Sequence, residues 1–354
     1  MSGLVGHVMY AVLGAKAAEH RKLPLASVIH RHFATYLAGS YLGCDIQTLP
    51  EAVCIDTGQE VGYGTVPIEK SPLTGGAVRP WFIELEAKRY TARDVHSLFY
   101  GRAHVVFGFS RGERELAVPW DHLPDYAALA CRDARELFGP GERPLAYALG
   151  WLAHIVGDCL IKSVQPGVDL NLLDGKYTPK NRPIQDLVTF HEIGRRELKL
   201  DWEALFADLV ATPVEPCQLH YMRVAEQEGS LAGDFRDGWT PDEVSLLTKV
   251  LGENRRYLRT LIGRWLDELA LRKEGRGWAC SEEMSRQSGG LSYTDMVAAA
   301  EKANFRHALW QIGEAVADLF EAVVRRVPSL ADSIASDGPT WSELTDRWKL
   351  KIAK

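Results

Sequence analysis

The sequence lacks paired cysteines and an excess of basic charge. Its six cysteines form no CxxC pair and are scattered at positions 44, 54, 131, 159, 217 and 280. This scatter argues against a thiolate zinc site, a redox pair and a disulfide framework. The formal net charge of the chain is -6. We therefore expect no nucleic-acid partner, because proteins that bind nucleic acids usually present a broad basic face.

The apolar N-terminal stretch resembles neither a membrane span nor a secretory signal. The apolar opening MSGLVGHVMYAVLG has no basic leader, contains a histidine and is too short to cross a bilayer. Internal repeats and low-complexity tracts are absent as well. With 46% hydrophobic and 25% charged residues, the composition is that of an ordinary globular protein. We expect a cytoplasmic protein without a transmembrane segment.

Helix signals dominate most of the chain, so we predict an all-α fold. Thr91 with Asp94 has the spacing of a capping box, and Thr240-Pro241-Asp242-Glu243 combines an N-cap, a proline in the first turn and a capping glutamate. The predicted helices cover residues 3–20, 24–43, 91–107, 124–138, 144 onward, 183–198, 240–271, 292–326 and 340–352. Residues 46–90 differ, because they hold five glycines and four prolines without a helical period. We interpret them as one long irregular insertion, inside which a short hairpin would fit.

An apolar helix carries the first candidate for chemistry. In GWLAHIVGDCLIKSV, residues 150–164, His154 and Asp158 are four positions apart, so both side chains lie on one face of a helix. A buried carboxylate needs a hydrogen-bond network, a cation or a metal ion. The simpler interpretation is a core histidine whose tautomer is fixed by the carboxylate, without any catalysis.

Other histidines and carboxylates lie on apolar helices or at their ends. The candidates are His7, His96, His191 and Asp45. Residues of this kind from several helices can converge inside a bundle and form a metal site. Nitrogen and carboxylate ligands without thiolates suit zinc, iron or manganese.

Four stretches of the chain resemble the zinc-dependent phospholipase C family, which is related in fold to the single-strand-specific zinc nucleases. They are GLVGHVMYAVLG with His7, LAGSYLGCDI with Asp45, DVHSLFYG with His96, and GWLAHIVGD with His154 and Asp158. The resemblance covers residues 1 to about 200 and implies a multi-helix bundle. We accordingly divide the chain into a metal-binding helical domain, 1–200, and a helical C-terminal extension, 201–354, packed on the first.

The resemblance implies a centre with two Zn²⁺ ions. One would lie between Asp45, His96, His154 and Asp158, and Asp158 would bridge to a second ion that also uses His7. Another divalent metal remains an alternative to zinc.

The third metal site of the family is altered in this chain. Val164 stands where the family has a histidine. His191 matches a later histidine of the family, but Arg195 occupies the place of the acid that follows it. Glu192 or Asp186 would compensate only with a different local geometry.

These residues predict a metal-dependent phosphoesterase of the phospholipase C kind, with a small phosphoester or a lipid as substrate. Asp45 would act as ligand, as catalytic base or as both. The residues 46–90 would lie over the site and line a pocket through Tyr63, Trp81 and Phe82. Positive charge in place of the third metal would come from Lys162, Lys176, Lys180 or Arg182.

Two other functions are consistent with the same residues. One is a non-catalytic helical binding or scaffold protein with a degraded metal site, whose long C-terminal helices offer a surface for a partner or for a second copy of the chain. The other is a metalloenzyme with chemistry that does not involve phosphate. The identity of the metal would separate this metalloenzyme from the phosphoesterase, since iron favours oxidation and zinc favours hydrolysis.

Overall fold

A computed structural model describes residues 3–42, 48–62, 67–72, 74–103, 118, 120–138, 141–161, 181–212 and 241–331. Within these ranges the protein is mostly helical, which confirms the predicted class at a coarse level, and it also contains three small sheets. Asp45 and the predicted helix 340–352 lie outside the described residues.

Twelve α-helices are described. They are α1 (Leu4–His20), α2 (Leu25–Arg31), α3 (Phe33–Leu42), α4 (Ala92–Ala103), α5 (Leu123–Phe138), α6 (Glu142–Ile161), α7 (Asn181–Leu187), α8 (Trp202–Ala211), α9 (Pro241–Leu269), α10 (Glu282–Gln287), α11 (Tyr293–Lys302) and α12 (Phe305–Arg326). Short 3-10 turns, Trp120–His122 and Pro328–Ala331, precede α5 and follow α12, and a π-helix, Val188–Glu197, follows α7.

Two helices predicted as continuous are each broken into two. The predicted helix 24–43 is interrupted at His32, whose φ of -122° and ψ of 42° lie outside the helical region. The predicted helix 292–326 is interrupted at Asn304, which has a φ of 53°. Asparagine tolerates the left-handed conformation better than most residues, so the chain can turn there.

The described part of the predicted irregular insertion is more regular than we expected. Three strands, β1 (Pro50–Cys54), β2 (Glu60–Gly62) and β3 (Val78–Pro80), form an antiparallel sheet in the order β2-β1-β3. Two more, β4 (Ile83–Leu85) and β5 (Lys88–Tyr90), form a hairpin. A further hairpin, β6 (Arg272–Glu274) and β7 (Gly277–Ala279), was not predicted. The strands are too short for a periodic sequence signal.

The predicted capping box at Thr91 is confirmed. The backbone N–H of Thr91 donates to an Asp94 carboxylate oxygen at 2.8 Å, and the backbone N–H of Asp94 donates to the Thr91 hydroxyl at 3.2 Å. These bonds satisfy donors that the first turn of α4 cannot use within the helix.

Tertiary contacts divide the chain into two compact units. The first comprises residues 1–41, 120–214 and 262–354, and the second comprises 42–119 and 215–261. Three separate segments of the chain therefore form the first unit, and two form the second. In the second unit, Ala52, Cys54 and Val61 form a small core with Ile68 and Val78.

Helices α1, α5, α6 and α12 build the core of the first unit, so part of the predicted C-terminal extension packs on the N-terminal helices. Helix α6 is long and apolar enough to cross a membrane by length and composition, but its most apolar window is 100% buried inside the protein. A helix buried to this extent has the character of a core helix.

Helices α3 and α6 cross in backbone contact. A Cβ atom placed on Gly39 would lie 2.3 Å from the carbonyl oxygen of Tyr147, and one on Gly150 would lie 2.0 Å from the carbonyl oxygen of Tyr36. Only glycine permits an approach this close. The two glycines thereby set the position of α6, which carries both residues of the HxxxD pair.

Candidate functional site

Three of the six predicted site residues lie together in the core of the first unit. His7 on α1 has its Nε2 atom 3.8 Å from an Asp158 carboxylate oxygen on α6. The ring centroids of His7 and His154 are 5.5 Å apart. Exposure is 1% for His7, 0% for His154 and 1% for Asp158, so the cluster is sealed from bulk solvent. We call these three residues the His7 cluster.

A close approach of two helices positions the His7 cluster. The spacing of His154 and Asp158 places both on one face of α6. A Cβ atom on Gly157 would lie 2.2 Å from the ring of Tyr10, so the absence of a side chain at Gly157 lets Tyr10 of α1 pack directly on α6. His7 is one turn before Tyr10 on α1, and this packing therefore sets its distance to the carboxylate.

Aromatic rings enclose the His7 cluster. The His7 ring lies 5.9 Å from that of Tyr10 and 5.7 Å from that of Tyr41. Trp151 packs edge-on against His154 with centroids 5.3 Å apart, and its indole N–H donates to the Tyr126 hydroxyl at 2.8 Å. Such surroundings have a low effective dielectric constant, which strengthens every electrostatic interaction at the carboxylate.

Two atoms of the His7 cluster have nearly the separation expected of two ligands of one zinc ion. Two ligand atoms at 2.0–2.2 Å from a tetrahedral zinc ion lie roughly 3.4 Å apart. The separation of 3.8 Å between His7 Nε2 and the Asp158 oxygen is close to this value. However, within the described residues no group of three or more His, Cys, Asp or Glu side chains could hold a metal ion. A complete site would need a further ligand, and the predicted one, Asp45, lies outside the described residues.

His96 lies on α4, in the second unit, where its side chain is partly buried. The resemblance implies that His96 lies beside His154 and Asp158, and this stays a prediction. The pocket residue Tyr63 lies outside the described ranges, whereas Trp81 and Phe82 are partly buried. The guanidinium of Arg89 lies 4.3 Å from the centre of the Phe82 ring, so one face of this ring is already covered.

His191 lies in the π-helix, a wide helical form that is rare and often marks functional positions. Its Nε2 atom is 2.6 Å from the backbone carbonyl of Leu269. Because a carbonyl oxygen only accepts, Nε2 carries the proton and Nδ1 is the nitrogen left to bind a metal. Burial lowers the pKa of His191, and the hydrogen bond that its ring donates to the Leu269 carbonyl partly opposes this shift.

The acids proposed to compensate for Arg195 have other partners. Glu192 accepts hydrogen bonds from the Tyr293 hydroxyl and from Arg196, each at 2.8 Å. Asp186 lies 3.4 Å from the guanidinium of Arg182. Arg195 itself lies 4.6 Å from the centre of the Phe190 ring. Glu192, Asp186 and Arg195, the residues considered for the third metal site, thus each contact other side chains of the protein.

Sequence reasoning missed the residues that set the geometry of the His7 cluster. Gly157 and Tyr10 determine how closely α1 approaches α6, and Trp151 and Tyr126 form the wall beside His154. The only available signal was the small residue inside an apolar helix, which is weak because glycine has many roles.

Comparison with known proteins gives no match for this chain among protein-family models, curated proteins or solved structures.

Proposed function

We propose that the protein is a metal-dependent phosphoesterase of the phospholipase C kind, with its centre at the His7 cluster. The observation that supports the proposal is the convergence of two imidazoles and one carboxylate, all at most 1% exposed, in an apolar core. Residues this polar are costly to bury, and a metal ion is one of the few partners that satisfy them together.

In this proposal His7, His154 and Asp158 would hold the metal through nitrogen and carboxylate oxygen only together with further ligands, and the resemblance implies Asp45 and His96 for that role. Zinc, when bound, supplies Lewis acidity that activates water and neutralises charge on a phosphoester. The enclosing rings of Tyr10, Tyr41 and Trp151 fix the imidazoles and exclude bulk water. Asp45 is the residue to which we assign the role of base or of an additional ligand.

The substrate class that we propose is a small phosphoester or a lipid, processed in the cytoplasm. The altered third site favours a substrate whose phosphate is held by fewer metal ions than in the family that the chain resembles. This part of the proposal rests on Val164 and Arg195, which replace a histidine and an acid.

Metal analysis tests the proposal. The protein is purified without chelator or affinity metal, and its metal content is measured by mass spectrometry. We expect near two zinc ions per chain and hydrolysis of bis(p-nitrophenyl) phosphate. Asp158→Asn preserves the size of the buried side chain but removes its charge, so metal and activity should fall while the helical circular dichroism remains. His154→Ala should also release metal. His307→Ala is the matched control, because His307 is exposed on α12.

A metal-free native protein, together with a stable Asp158→Asn variant, would overturn the proposal. The His7 cluster would then be a structural core pair, and the alternative function of a helical binding or scaffold protein would take its place. One observation favours this alternative: Arg195, which stands where the family has an acid, packs on the Phe190 ring.

A further inference from the structure

The hairpin formed by β6 and β7 belongs to the first unit and is exposed from Arg272 to Trp278. Its turn has two residues, Gly275 and Arg276, and Gly275 adopts a φ of 57°, which glycine reaches without strain. Trp278 is 55% exposed. A single exposed aromatic residue is common on protein surfaces, so its neighbours decide whether it indicates a partner.

The hairpin residues closest to Trp278 are cationic. Lys273 lies directly opposite Trp278 in the register of the two strands, so both side chains share one face of the hairpin. Arg276 occupies the turn, two positions before Trp278. Glu274 follows Lys273 in the same strand and therefore points to the opposite face. The face of Trp278 thus receives positive charge from the hairpin and no negative charge.

The cations of the hairpin are not neutralised within the described part of the protein. Arg272, Lys273 and Arg276 make no ion pair or side-chain hydrogen bond with another described residue. Arginines on the helices of the same unit do pair, as Arg286 does with Glu283 at 2.6 Å. The hairpin therefore presents unpaired positive charge in a chain whose formal net charge is -6.

Acidic residues occur on the elements that flank the hairpin. The last turn of α9 carries Asp267 and Glu268, and the first turn of α10 carries Glu282 and Glu283. Both pairs lie outside the strands in sequence, at the end of the hairpin away from its turn. Helix α11 packs on β7, and its Asp295 accepts hydrogen bonds from its own N-cap. Positive charge is therefore concentrated toward the turn.

We propose that the hairpin of β6 and β7 docks the protein on the surface of an anionic lipid membrane. The indole ring of Trp278 lies at the level of the headgroups, where its apolar ring and its N–H both find suitable surroundings. Lys273 and Arg276 bind the anionic headgroups. The protein lies on the membrane and does not cross it. The inference does not depend on the proposed phosphoesterase activity.

The number of contacts favours a membrane over a nucleic acid as the partner. Nucleic-acid binding usually requires many phosphate contacts along an extended basic face, or several rings on which bases stack. The hairpin offers one ring and three cations. A flat lipid surface is reached by the turn end of the hairpin alone. Screening over about 8 Å at physiological ionic strength limits the repulsion between the membrane and the rest of the acidic chain.

Sedimentation of the full chain with sucrose-loaded vesicles tests this inference. The vesicles contain either three parts phosphatidylcholine to one part phosphatidylserine, or phosphatidylcholine alone. We expect binding to the anionic vesicles and at least about tenfold weaker binding to the neutral ones, because each Lys or Arg near an anionic surface adds to the attraction. Binding to the anionic vesicles should weaken as NaCl rises from 50 to 300 mM, since salt screens this attraction.

Variants assign the binding to the hairpin. Trp278→Ala should weaken vesicle binding about tenfold, the effect of exposing an apolar side chain that was partly buried in the interface. Lys273→Gln keeps the ring and should weaken binding about fivefold. Ile55→Ala is the control and should leave binding unchanged, because Ile55 is 62% exposed but is followed by Asp56. Asp158→Asn should also leave it unchanged, whereas vesicles held through the His7 cluster would be released.

Four results would overturn the inference. They are the absence of binding to the anionic vesicles, equal binding to neutral ones, equal binding by the Trp278→Ala and Ile55→Ala variants, and binding of a single-stranded oligo(dT) in place of vesicles. Circular dichroism of each variant checks that the chain remains folded.

Discussion

The crossing of α3 and α6 predicts a large effect of a single methyl group. In Gly150→Ala, the new Cβ would lie 2.0 Å from the carbonyl oxygen of Tyr36 and within 3.0 Å of the Cα atom of Gly39. Both obstacles belong to the backbone, so no side chain can rotate away and the helices must separate. Overpacking of this kind costs about 3 kcal/mol. Alanine recovers about 1 kcal/mol through its higher helix propensity. We expect a net loss of roughly 2 kcal/mol of unfolding free energy.

Urea denaturation followed by circular dichroism measures this loss. Gly263→Ala is the matched control, because Gly263 also lies inside a helix, α9, and a Cβ atom there would meet nothing within 4 Å. The control should gain about 1 kcal/mol, as expected from helix propensity alone. A Gly150→Ala variant that gains stability like the control would refute the backbone contact between α3 and α6.

Two further predictions concern charge and thiol chemistry in the first unit. The hydrogen bond from Arg31 lowers the pKa of Glu142, so this carboxylate stabilises the fold above its unfolded pKa of about 4.3 and loses that contribution as pH falls through its folded pKa. Glu142→Gln should therefore cost about 1–3 kcal/mol at pH 7 and less at pH 3, as measured by urea unfolding at both values. Burial raises the pKa of Cys131 to about 12, so at pH 8 iodoacetamide should modify the partly exposed Cys280 first, as peptide mass spectrometry would show.

Each of these expectations has a clear contradiction. An equal cost of Glu142→Gln at pH 7 and pH 3 would mean that its charge does not stabilise the fold. Unfolding in urea before alkylation is the control for the thiols, since it should make Cys131 and Cys280 react alike. Faster labelling of Cys131 than of Cys280 in the native protein would contradict the burial of the former.

The ion pair between Arg31 and Glu142 illustrates what local patterns do not contain. The two residues belong to α2 and α6, far apart along the chain, and each alone is an ordinary charged helix residue. The same holds for the π-helix that presents His191, which contacts other elements through the hydrogen bonds from Trp202 to the Phe190 carbonyl and from His191 to the Leu269 carbonyl. Pairings of this kind depend on how elements dock, which neither propensity nor periodicity describes.

The sequence by itself determined the helical class, the cap at Thr91 and the shared face of His154 and Asp158, because hydrogen bonds and spacing within a few residues decide these features. Tertiary structure alone decided how closely α1 and α3 approach α6, that the insertion carries short strands, and that helices break at His32 and Asn304. The physical reason is close packing. The approach of α1 and α3 to α6 depends on the absence of a Cβ atom at Gly157, Gly39 and Gly150, and that fit exists only when the partner helix is in place.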